Sequence, residues 1–207
     1  MSEVRIDHGV SNGTFDLDGQ TFEVENNIWV IGNDKECFVI DAPHDVDAIM
    51  EVVGDRFVSA ILCTHAHNDH INVADALSTR TNAPVLLNPA DVKLWQQVYP
   101  NTRPDNEIND NDVFYIGGTG LRVLHTPGHC PGAVCFWIPN LNVVFTGDTL
   151  FHGGPGASHF STGDKPTLLK SIHEKLFTLG DDVVVHTGHG ESTTIGAERA
   201  REDVYAQ

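Results

Sequence analysis

Three histidines and one aspartate are crowded into the heptapeptide THAHNDH, residues 64–70. Neutral imidazole and carboxylate groups are ligands that zinc favours, at distances of about 2.0–2.2 Å. A surface loop does not require such crowding, and an apolar core would be destabilised by it. The heptapeptide therefore indicates a metal site, provided that other segments of the chain supply further ligands.

Three other segments share one arrangement, in which a strand-like apolar run is followed by a glycine-containing turn and then by histidine or aspartate. They are HTPGHC (125–130), FTGDTLF (145–151) and HTGHG (186–190). Glycine lets the backbone bend sharply, and rigid strand ends can hold several ligands in one place while loops leave room for substrate. Together with the heptapeptide, these segments give seven candidate metal ligands: His65, His67, Asp69, His70, His129, Asp148 and His189.

Seven ligands are too many for one tetrahedral ion, but they suit two ions that share a bridging carboxylate. Two ions would also turn the repulsion between Asp69 and Asp148 into attraction. A catalytic pair of ions also keeps coordination positions for water. The lack of a GxSxG segment argues against a serine hydrolase.

Apolar patterning predicts the elements that must position these residues. Residues 20–32 and 36–43 are predicted to form a hairpin, and the nearly continuous apolar run 57–65 is typical of a strand buried on both faces. Further strands are predicted at 84–88, 112–116, 120–126, 133–138, 142–146 and 182–188, and helices at 45–55, 72–82, 89–100, 165–178 and from about 195. These patterns indicate one domain over residues 1–207, with two sheets packed face to face and helices outside.

The charge balance excludes some classes of partner. The chain has 12 basic and 29 acidic residues, a net charge of −17, and no basic stripe, so we expect no nucleic-acid partner. No run approaches the roughly 18 apolar residues needed to span a bilayer, and the amino terminus lacks the pattern of a signal peptide. We therefore expect a cytoplasmic protein without a membrane partner, whose four cysteines are reduced and mostly buried.

The heptapeptide resembles the HxHxDH signature of the metallo-β-lactamase superfamily, and the three other segments resemble its later motifs in their usual order. The resemblance covers about residues 20–200. It implies an α+β fold, a four-layer αβ/βα sandwich with the metals at one edge of the two sheets. It also implies that His65, His67 and His129 hold one ion, that Asp69, His70 and His189 hold the other, and that Asp148 bridges them. The mechanism that the resemblance implies is attack of a hydroxide held between the metals on an ester or thioester carbonyl, since metal binding lowers the pKa of water from about 15.7 towards 7. Asp69 is expected to help orient this hydroxide.

Two segments resemble the glyoxalase II branch, the hydroxyacylglutathione hydrolases: GDTLF (147–151) and GHGESTTIGAE (188–198). True β-lactamases of the commonest type tend to carry a cysteine ligand near the second metal, so antibiotic hydrolysis is disfavoured. GGPGA (153–157) resembles small actinobacterial hydrolases, whose carrier thiol is mycothiol. The branch also has a longer carboxy-terminal substrate-binding domain, which we expect this protein to lack, as short bacterial members do.

The resemblance thus implies a thioesterase with two Zn²⁺ ions per chain, with iron or manganese as alternatives, acting on a thioester of a low-molecular-weight thiol. His152 and His159 are expected to line the substrate cleft. The alternatives to a thioesterase are a lactonase or esterase, and a persulfide dioxygenase with one iron. A nuclease of the same fold would need a basic surface, which the sequence does not show. A non-catalytic metal-binding module would be expected to lack one or more ligands, whereas all seven are present.

Three residues near the motifs are expected to play lesser roles. His125 and His186 are expected to be structural or to support metal-bound imidazoles rather than bind metal themselves. Cys130, next to a candidate ligand, is expected to be a packed thiol. The sequence gives no indication of the oligomeric state.

Overall fold

Two six-stranded β-sheets form the centre of the structure, a computed structural model that describes residues 3–205. The first sheet contains, in order across it, β1 (Arg5–Leu17), β2 (Gln20–Gly32), β3 (Glu36–Ile40), β4 (Phe57–Leu62), β5 (Val85–Leu87) and β6 (Asn106–Glu107). The second sheet begins with β7 (Val113–Ile116), β8 (Thr119–His125), β9 (Val134–Ile138) and β10 (Val143–Gly147). After a separate hairpin of β11 (Leu150–Phe151) and β12 (Gly154–Pro155), it is completed by β13 (Val184–Thr187) and β14 (Thr193–Thr194), which lie beyond β10.

Helices cover the outer face of each sheet. They are α1 (Val46–Val53), α2 (Asn68–Ile71), α3 (Ala74–Thr81), α4 (Val92–Val98), α5 (Lys165–Ser171), α6 (Ile195–Arg199) and α7 (Glu202–Tyr205). A 3-10 turn precedes α4 and a π-helical turn extends α5. Within residues 3–205, no helix combines the length and the apolar content that crossing a membrane requires.

Side chains alternate between the two faces of each strand, and in the central strands both faces are apolar, which produces the layers. In β2, Ile28 and Val30 pack with the helices of the first sheet, whereas Trp29 and Ile31 pack between the sheets. In the second sheet, Val144 faces its helices. Three apolar clusters therefore separate four layers, in the order helices, sheet, sheet, helices. The α+β four-layer sandwich expected from the sequence is confirmed.

The predicted elements are present, with ends that shift by one to three residues. The predicted hairpin is formed by β2 and β3, and the doubly buried strand is β4, which pairs in parallel with both β3 and β5. The final predicted helix divides into two short ones, α6 and α7. The domain span of 1–207 stays a prediction and includes residues outside the described part.

Strand β1 was not predicted from the sequence. Its residues mostly alternate between exposed and half-buried positions, and it contains two glycines, so it has no apolar stripe to mark it. Its pairing with β2 runs over thirteen residue pairs, from Arg5 opposite Gly32 to Leu17 opposite Gln20. Long-range pairing, rather than local patterning, therefore defines this strand.

Hydrogen bonds between the two sheets fix the edge where the polar motifs lie. The carbonyl of Thr64, beyond β4, accepts from the amide of Val134 in β9 at 2.8 Å. The indole of Trp29 donates to the carbonyl of Thr187 at 2.9 Å, and the amide of Asn27 donates to the carbonyl of Gly188 at 2.8 Å. The ends of β4, β8, β10 and β13 are thereby held at one edge of the sandwich.

The layer between the sheets can be tested with two phenylalanines. Replacing Phe136 with alanine should lower the free energy of unfolding by about 3–5 kcal/mol, because its ring is fully buried between the sheets. Phe57 is 62% exposed and serves as the control; Phe57→Ala should change the same quantity by about 0.5 kcal/mol or less. Urea denaturation measures both, and equal losses would contradict the placement of Phe136.

Candidate metal centre

Three imidazole nitrogens converge in the first half of the site. Nδ1 of His67 lies 3.2 Å from Nε2 of His65 and 2.9 Å from Nε2 of His129. Ligand atoms about 2.0–2.1 Å from one tetrahedral zinc ion lie about 3.3 Å from each other. The spacing of these three nitrogens is therefore close to that of a single metal ion's ligands.

A second set of three side chains lies next to the first. Nε2 of His70 is 3.3 Å from Nε2 of His189, and Oδ2 of Asp69 is 3.2 Å from the His189 nitrogen and 3.5 Å from the His70 nitrogen. These distances again match the separations expected around one ion. The second set comes from both sheets, since His189 follows β13 in the second sheet, whereas Asp69 and His70 follow β4 in the first.

The carboxylate of Asp148, which follows β10, lies between the two sets. Its Oδ1 is 3.2 Å from Nε2 of His70, and its Oδ2 is 3.5 Å from Nε2 of His189. The same Oδ2 is 3.6 Å from Nε2 of His129 in the first set. This carboxylate therefore borders both sets, as a bridging ligand must.

The backbone of the heptapeptide changes conformation in its middle. His67 is extended (φ −65°, ψ 147°), and helix α2 begins at the next residue, so Asp69 and His70 lie in a helical turn. This change divides the four candidate ligands of the heptapeptide between the two sets. A glycine elsewhere is required sterically: a Cβ at Gly188 would lie 2.3 Å from Oδ1 of Asp148 and 2.8 Å from Cε1 of His70.

Two of the imidazoles are held by backbone carbonyls through their other ring nitrogen. Nδ1 of His129 is 2.7 Å from the carbonyl oxygen of Ala157, and Nδ1 of His189 is 2.7 Å from that of Glu25. A carbonyl can only accept, so each Nδ1 carries the proton. The Nε2 atoms that face the centre are then the ones free to bind a cation.

Asp41, which sequence reasoning missed, supports two further imidazoles. Its Oδ2 is 2.8 Å from Nδ1 of His70 and accepts from the hydroxyl of Thr64 at 2.8 Å, while its Oδ1 accepts from the Thr64 amide at 2.6 Å. The Thr64 hydroxyl is also 3.0 Å from Nδ1 of His65. One carboxylate thus orients a ligand candidate from each set. The aspartate that ends the apolar run ECFVID was the signal available in the sequence.

Asn26 is a second residue that the sequence analysis did not single out. Its side chain is buried, and its Nδ2 donates to Oδ2 and to the backbone oxygen of Asp69, both at 3.1 Å. Its Oδ1 is 2.8 Å from Nε2 of His44, which fixes the orientation of the amide. Asn26 therefore holds Asp69 in place, and His44 gains a structural role that its sequence context did not indicate.

Two buried carboxylate oxygens in the site accept no hydrogen bond: Oδ1 of Asp69, and Oδ1 of Asp148, which has an ion-pair contact with Nε2 of His70 at 3.2 Å. Leaving a buried polar atom unpaired costs about 1–3 kcal/mol, and more for a charged group. Buried charges in proteins are normally paired or bound to metal. The donor set and its two unpaired oxygens therefore fit a divalent cation in each half of the site.

The imidazoles of the first set are neutral. Burial lowers the pKa of His67 to about 3, with the His129 ring acting in the same direction. Burial and the neighbouring imidazoles hold the pKa of His65 well below its usual range, and burial lowers that of His129. Each ring therefore has a lone pair available at pH 7.

The second set has the opposite electrostatic character. Burial would lower the pKa of His70 and His189, but the carboxylates outweigh it: Asp148, Asp69 and Asp41 hold the pKa of His70 well above its usual range. Asp148 and Asp69 raise the pKa of His189 to about 10. In turn, burial would raise the pKa of Asp148, but His70 and His189 hold it well below its usual range. This half attracts positive charge, and a divalent cation bound here would displace protons.

A cleft of about 710 Å³ opens beside the centre, and His129, Asp148 and His189 are among the residues that line it. His152 and His159, expected to contact substrate, also line this cleft. Their contact with a substrate stays a prediction.

The remaining histidines and the cysteine take other positions. His125 contacts the carbonyl of Pro131 at 3.0 Å, and His186 packs on Trp29 and contacts the hydroxyl of Ser192 at 2.9 Å. Cys130 is buried, with its Sγ 3.2 Å from Nε2 of His67. It contacts the first set from outside, because Nε2 of His67 faces away from the other two imidazoles.

Curated relatives support a metal-dependent enzyme. The chain is 33% identical over 190 residues to the probable metallo-hydrolase YqgX of Bacillus subtilis, covering 85% of this chain and 90% of that protein. It is 33% identical over 187 residues to the hydroxyacylglutathione hydrolase GloC of Haemophilus influenzae, covering 83% and 87%. Human mitochondrial persulfide dioxygenase ETHE1 is 33% identical over 160 residues, covering 75% of this chain and 59% of that protein. These relatives come from different groups of organisms, so the similarity to small actinobacterial hydrolases stays a prediction.

Solved structures show the same fold. BLEG-1 B3 metallo-β-lactamase matches with a TM-score of 0.80 and 29% identity, over 95% of this chain and all of that one. TTHA1623 in a di-iron-bound form matches with a TM-score of 0.74 and 30% identity, over 86% and 94%. The family model for the metallo-beta-lactamase superfamily matches residues 22–189, which include all seven candidate ligands. This chain, with its four-layer sandwich and its histidine and aspartate cluster at one sheet edge, belongs to the metallo-β-lactamase superfamily of metal-binding hydrolases.

Proposed function

We propose that this protein hydrolyses a thioester of a low-molecular-weight thiol, using two zinc ions. One observation carries the proposal: the Asp148 carboxylate lies between two ligand sets, each with the spacing of a single ion's ligands, beside an open cleft. The similarity to the hydroxyacylglutathione hydrolase GloC supports the choice of a thioester.

In this proposal, the ligands are those named from the sequence. His65, His67 and His129 would hold one ion, Asp69, His70 and His189 the other, and Asp148 both. Ions at these positions would lower the pKa of bound water and polarise the substrate carbonyl.

The chain's own residues hold and orient the other reactants. Asn26 occupies Oδ2 of Asp69, which leaves the buried Oδ1 available to accept a hydrogen bond from water. In hydrolysis, the water oxygen bonds to the carbonyl carbon, the carbon–sulfur bond breaks, and the thiol part leaves with the bonding electrons as a thiolate. Of the two protons of the water, one ends on the thiolate and the other passes to solvent as the carboxylic acid product ionises. A thiol has a pKa of about 8.5, so its thiolate leaves without a strong general acid. The cleft therefore needs no side chain placed to protonate the leaving group.

Two other activities remain as alternative proposals. A lactonase or esterase would use the same ligands on an oxygen ester. The similarity to ETHE1 favours the other alternative, a persulfide dioxygenase with one iron. The metal content distinguishes the dioxygenase from the hydrolases, and a panel of thioesters and lactones distinguishes the hydrolases from each other.

The function is tested by coupling metal content to turnover. We expect about two zinc ions per chain and hydrolysis of acyl thioesters. Asp148→Ala should remove at least one ion and lower kcat/KM by about 100-fold or more, because both halves of the site lose a ligand. Atomic emission measures the metal, and a thiol-trapping reagent measures turnover.

The control for this substitution is Asp182→Ala, since Asp182 is an exposed aspartate outside the cleft. It should retain both ions and full activity. One iron per chain with oxygen uptake, or unchanged turnover in Asp148→Ala, would contradict the proposal.

Asp41→Asn tests how the ligands are oriented. In the variant, the side-chain NH2 group would replace one of the two Asp41 oxygens. It would then face either the His70 imidazole N–H or the Thr64 amide N–H, and both of these donors need an acceptor. Metal affinity should fall by about 10- to 100-fold, as measured by chelator competition. Asp105→Asn is the matched control. The Asp105 carboxylate also accepts from a backbone amide, that of Val85 in β5 at 2.8 Å, but it does not contact a ligand candidate. Equal affinities in the two variants would refute the role of Asp41.

Gly188→Ala tests the packing of the second set. The new Cβ would displace the Asp148 carboxylate or the His70 ring, so we expect about one ion per chain in place of two. Gly180→Ala is the control, because its Cβ would lie 2.9 Å from the Asp182 carboxylate, on an exposed side chain that can move, and at an ordinary contact distance of 3.8 Å from Val183. Titration with Zn²⁺ followed by calorimetry measures the stoichiometry. Two full-affinity sites in Gly188→Ala would contradict the assignment of this half.

A further inference from the structure

One wall of the cleft is built from three phenylalanines. Phe15 and Phe22 face each other across the β1–β2 hairpin, with ring centroids 6.0 Å apart. The ring of Phe160 meets their edges at 5.4 Å and 6.1 Å, and it belongs to the loop that follows β12. All three line the cleft. We call them the aromatic wall.

The aromatic wall is fixed relative to the metal centre. Asp18, at the hairpin tip, accepts hydrogen bonds from the amide and the hydroxyl of Ser161 at 2.8 Å and 2.5 Å. This contact joins the hairpin to the loop that carries Phe160. The ring of Phe15 also packs on His67 of the first set, with centroids 5.0 Å apart. An apolar group on the wall would therefore lie next to the metal ligands.

Apart from the candidate metal ligands, the charged side chains that line the cleft are acidic. Among the described residues that line it there is no lysine or arginine, whereas Glu25 and Glu191 both line it and are exposed. Nδ1 of His152 lies 3.5 Å from the Glu191 carboxylate, so His152 already has an acidic partner from this chain. The chain as a whole carries a net charge of −17. A carboxylate on the carrier thiol, such as those of glutathione, would meet Glu25 and Glu191 and no lysine or arginine of the cleft lining.

We infer that the substrate is a thioester with an apolar acyl group and an uncharged thiol part, and that the aromatic wall binds the apolar group. This inference rests on the proposed hydrolysis and names its substrate class. Packing against the wall provides affinity through apolar burial. Glu25 and Glu191 provide specificity, because they repel anionic thiol conjugates.

The test compares two thioesters with the same hexanoyl group, one on uncharged N-acetylcysteamine and one on glutathione. Zinc-loaded protein should show a kcat/KM at least about tenfold higher for the uncharged substrate. Phe22→Ala should lower kcat/KM for that substrate by about tenfold, while Phe57→Ala, at an exposed phenylalanine outside the cleft, should not.

Charge reversal tests the specificity separately. Glu191→Lys should lower the ratio of kcat/KM for the uncharged thioester to kcat/KM for the glutathione thioester by about three- to tenfold at low salt. Added salt should weaken this effect. Glu107→Lys makes the same charge change at β6, outside the cleft, and should leave the preference unchanged. Equal or faster hydrolysis of the glutathione thioester by the unmodified protein would overturn the inference and leave the proposed hydrolysis standing.

Failure to hydrolyse either substrate would instead refute the proposed function. In that case, binding of the two corresponding thioethers, which cannot be hydrolysed, still decides the inference. Calorimetry should show tighter binding of the uncharged thioether, weakened by Phe22→Ala. Equal binding of both thioethers would overturn the inference on its own.

Discussion

The site depends on the need of two carboxylates for positive charge. Asp69 is buried and Asp148 nearly so, and each has an oxygen without a hydrogen-bond partner. Removing carboxylates from water is costly unless a cation or several donors compensate. The surrounding imidazoles are oriented so that their centre-facing nitrogens can share a cation with these oxygens, and Asp41 and Asn26 hold them there. Without compensating charge, the same arrangement would be one of the least stable parts of the molecule.

The sandwich makes this arrangement possible because it brings both sheets to one edge. Ligand candidates follow β4 in the first sheet and β8, β10 and β13 in the second, so no single sheet could supply both sets. Cross-sheet hydrogen bonds at Thr64, Thr187 and Gly188 fix the separation of the two edges. The apolar layer between the sheets supplies the rigidity, since packed cores deform little. Precision at the centre is therefore a consequence of packing that extends well beyond it.

The polar centre and the aromatic wall come from different parts of the fold. Strand ends and the turns that follow them carry the ligands, whereas the wall comes from the β1–β2 hairpin and the loop after β12. The hairpin and the loop can therefore change without a change in the ligand set. This separation explains how one superfamily can include proteins named as hydrolases, lactamases and a dioxygenase, because activity resides in sites built on a shared fold.

The sequence by itself determined the ligand types, their order and most of the strands and helices. Histidine and aspartate after an apolar strand leave a local signature, as in THAHNDH, and alternating apolar residues mark strands such as β2. Only the tertiary structure decided that Asn26 holds Asp69, that Asp41 serves ligands of both sets, that β1 is a strand and that three phenylalanines meet over the centre. The reason is physical. Asn26 and Asp69 are 43 residues apart, and Phe15 meets Phe160 only through the folded chain, so neither contact affects local patterning. The first contact exists only once β2 and β4 have joined one sheet, and the second only once the two halves of the sandwich have packed.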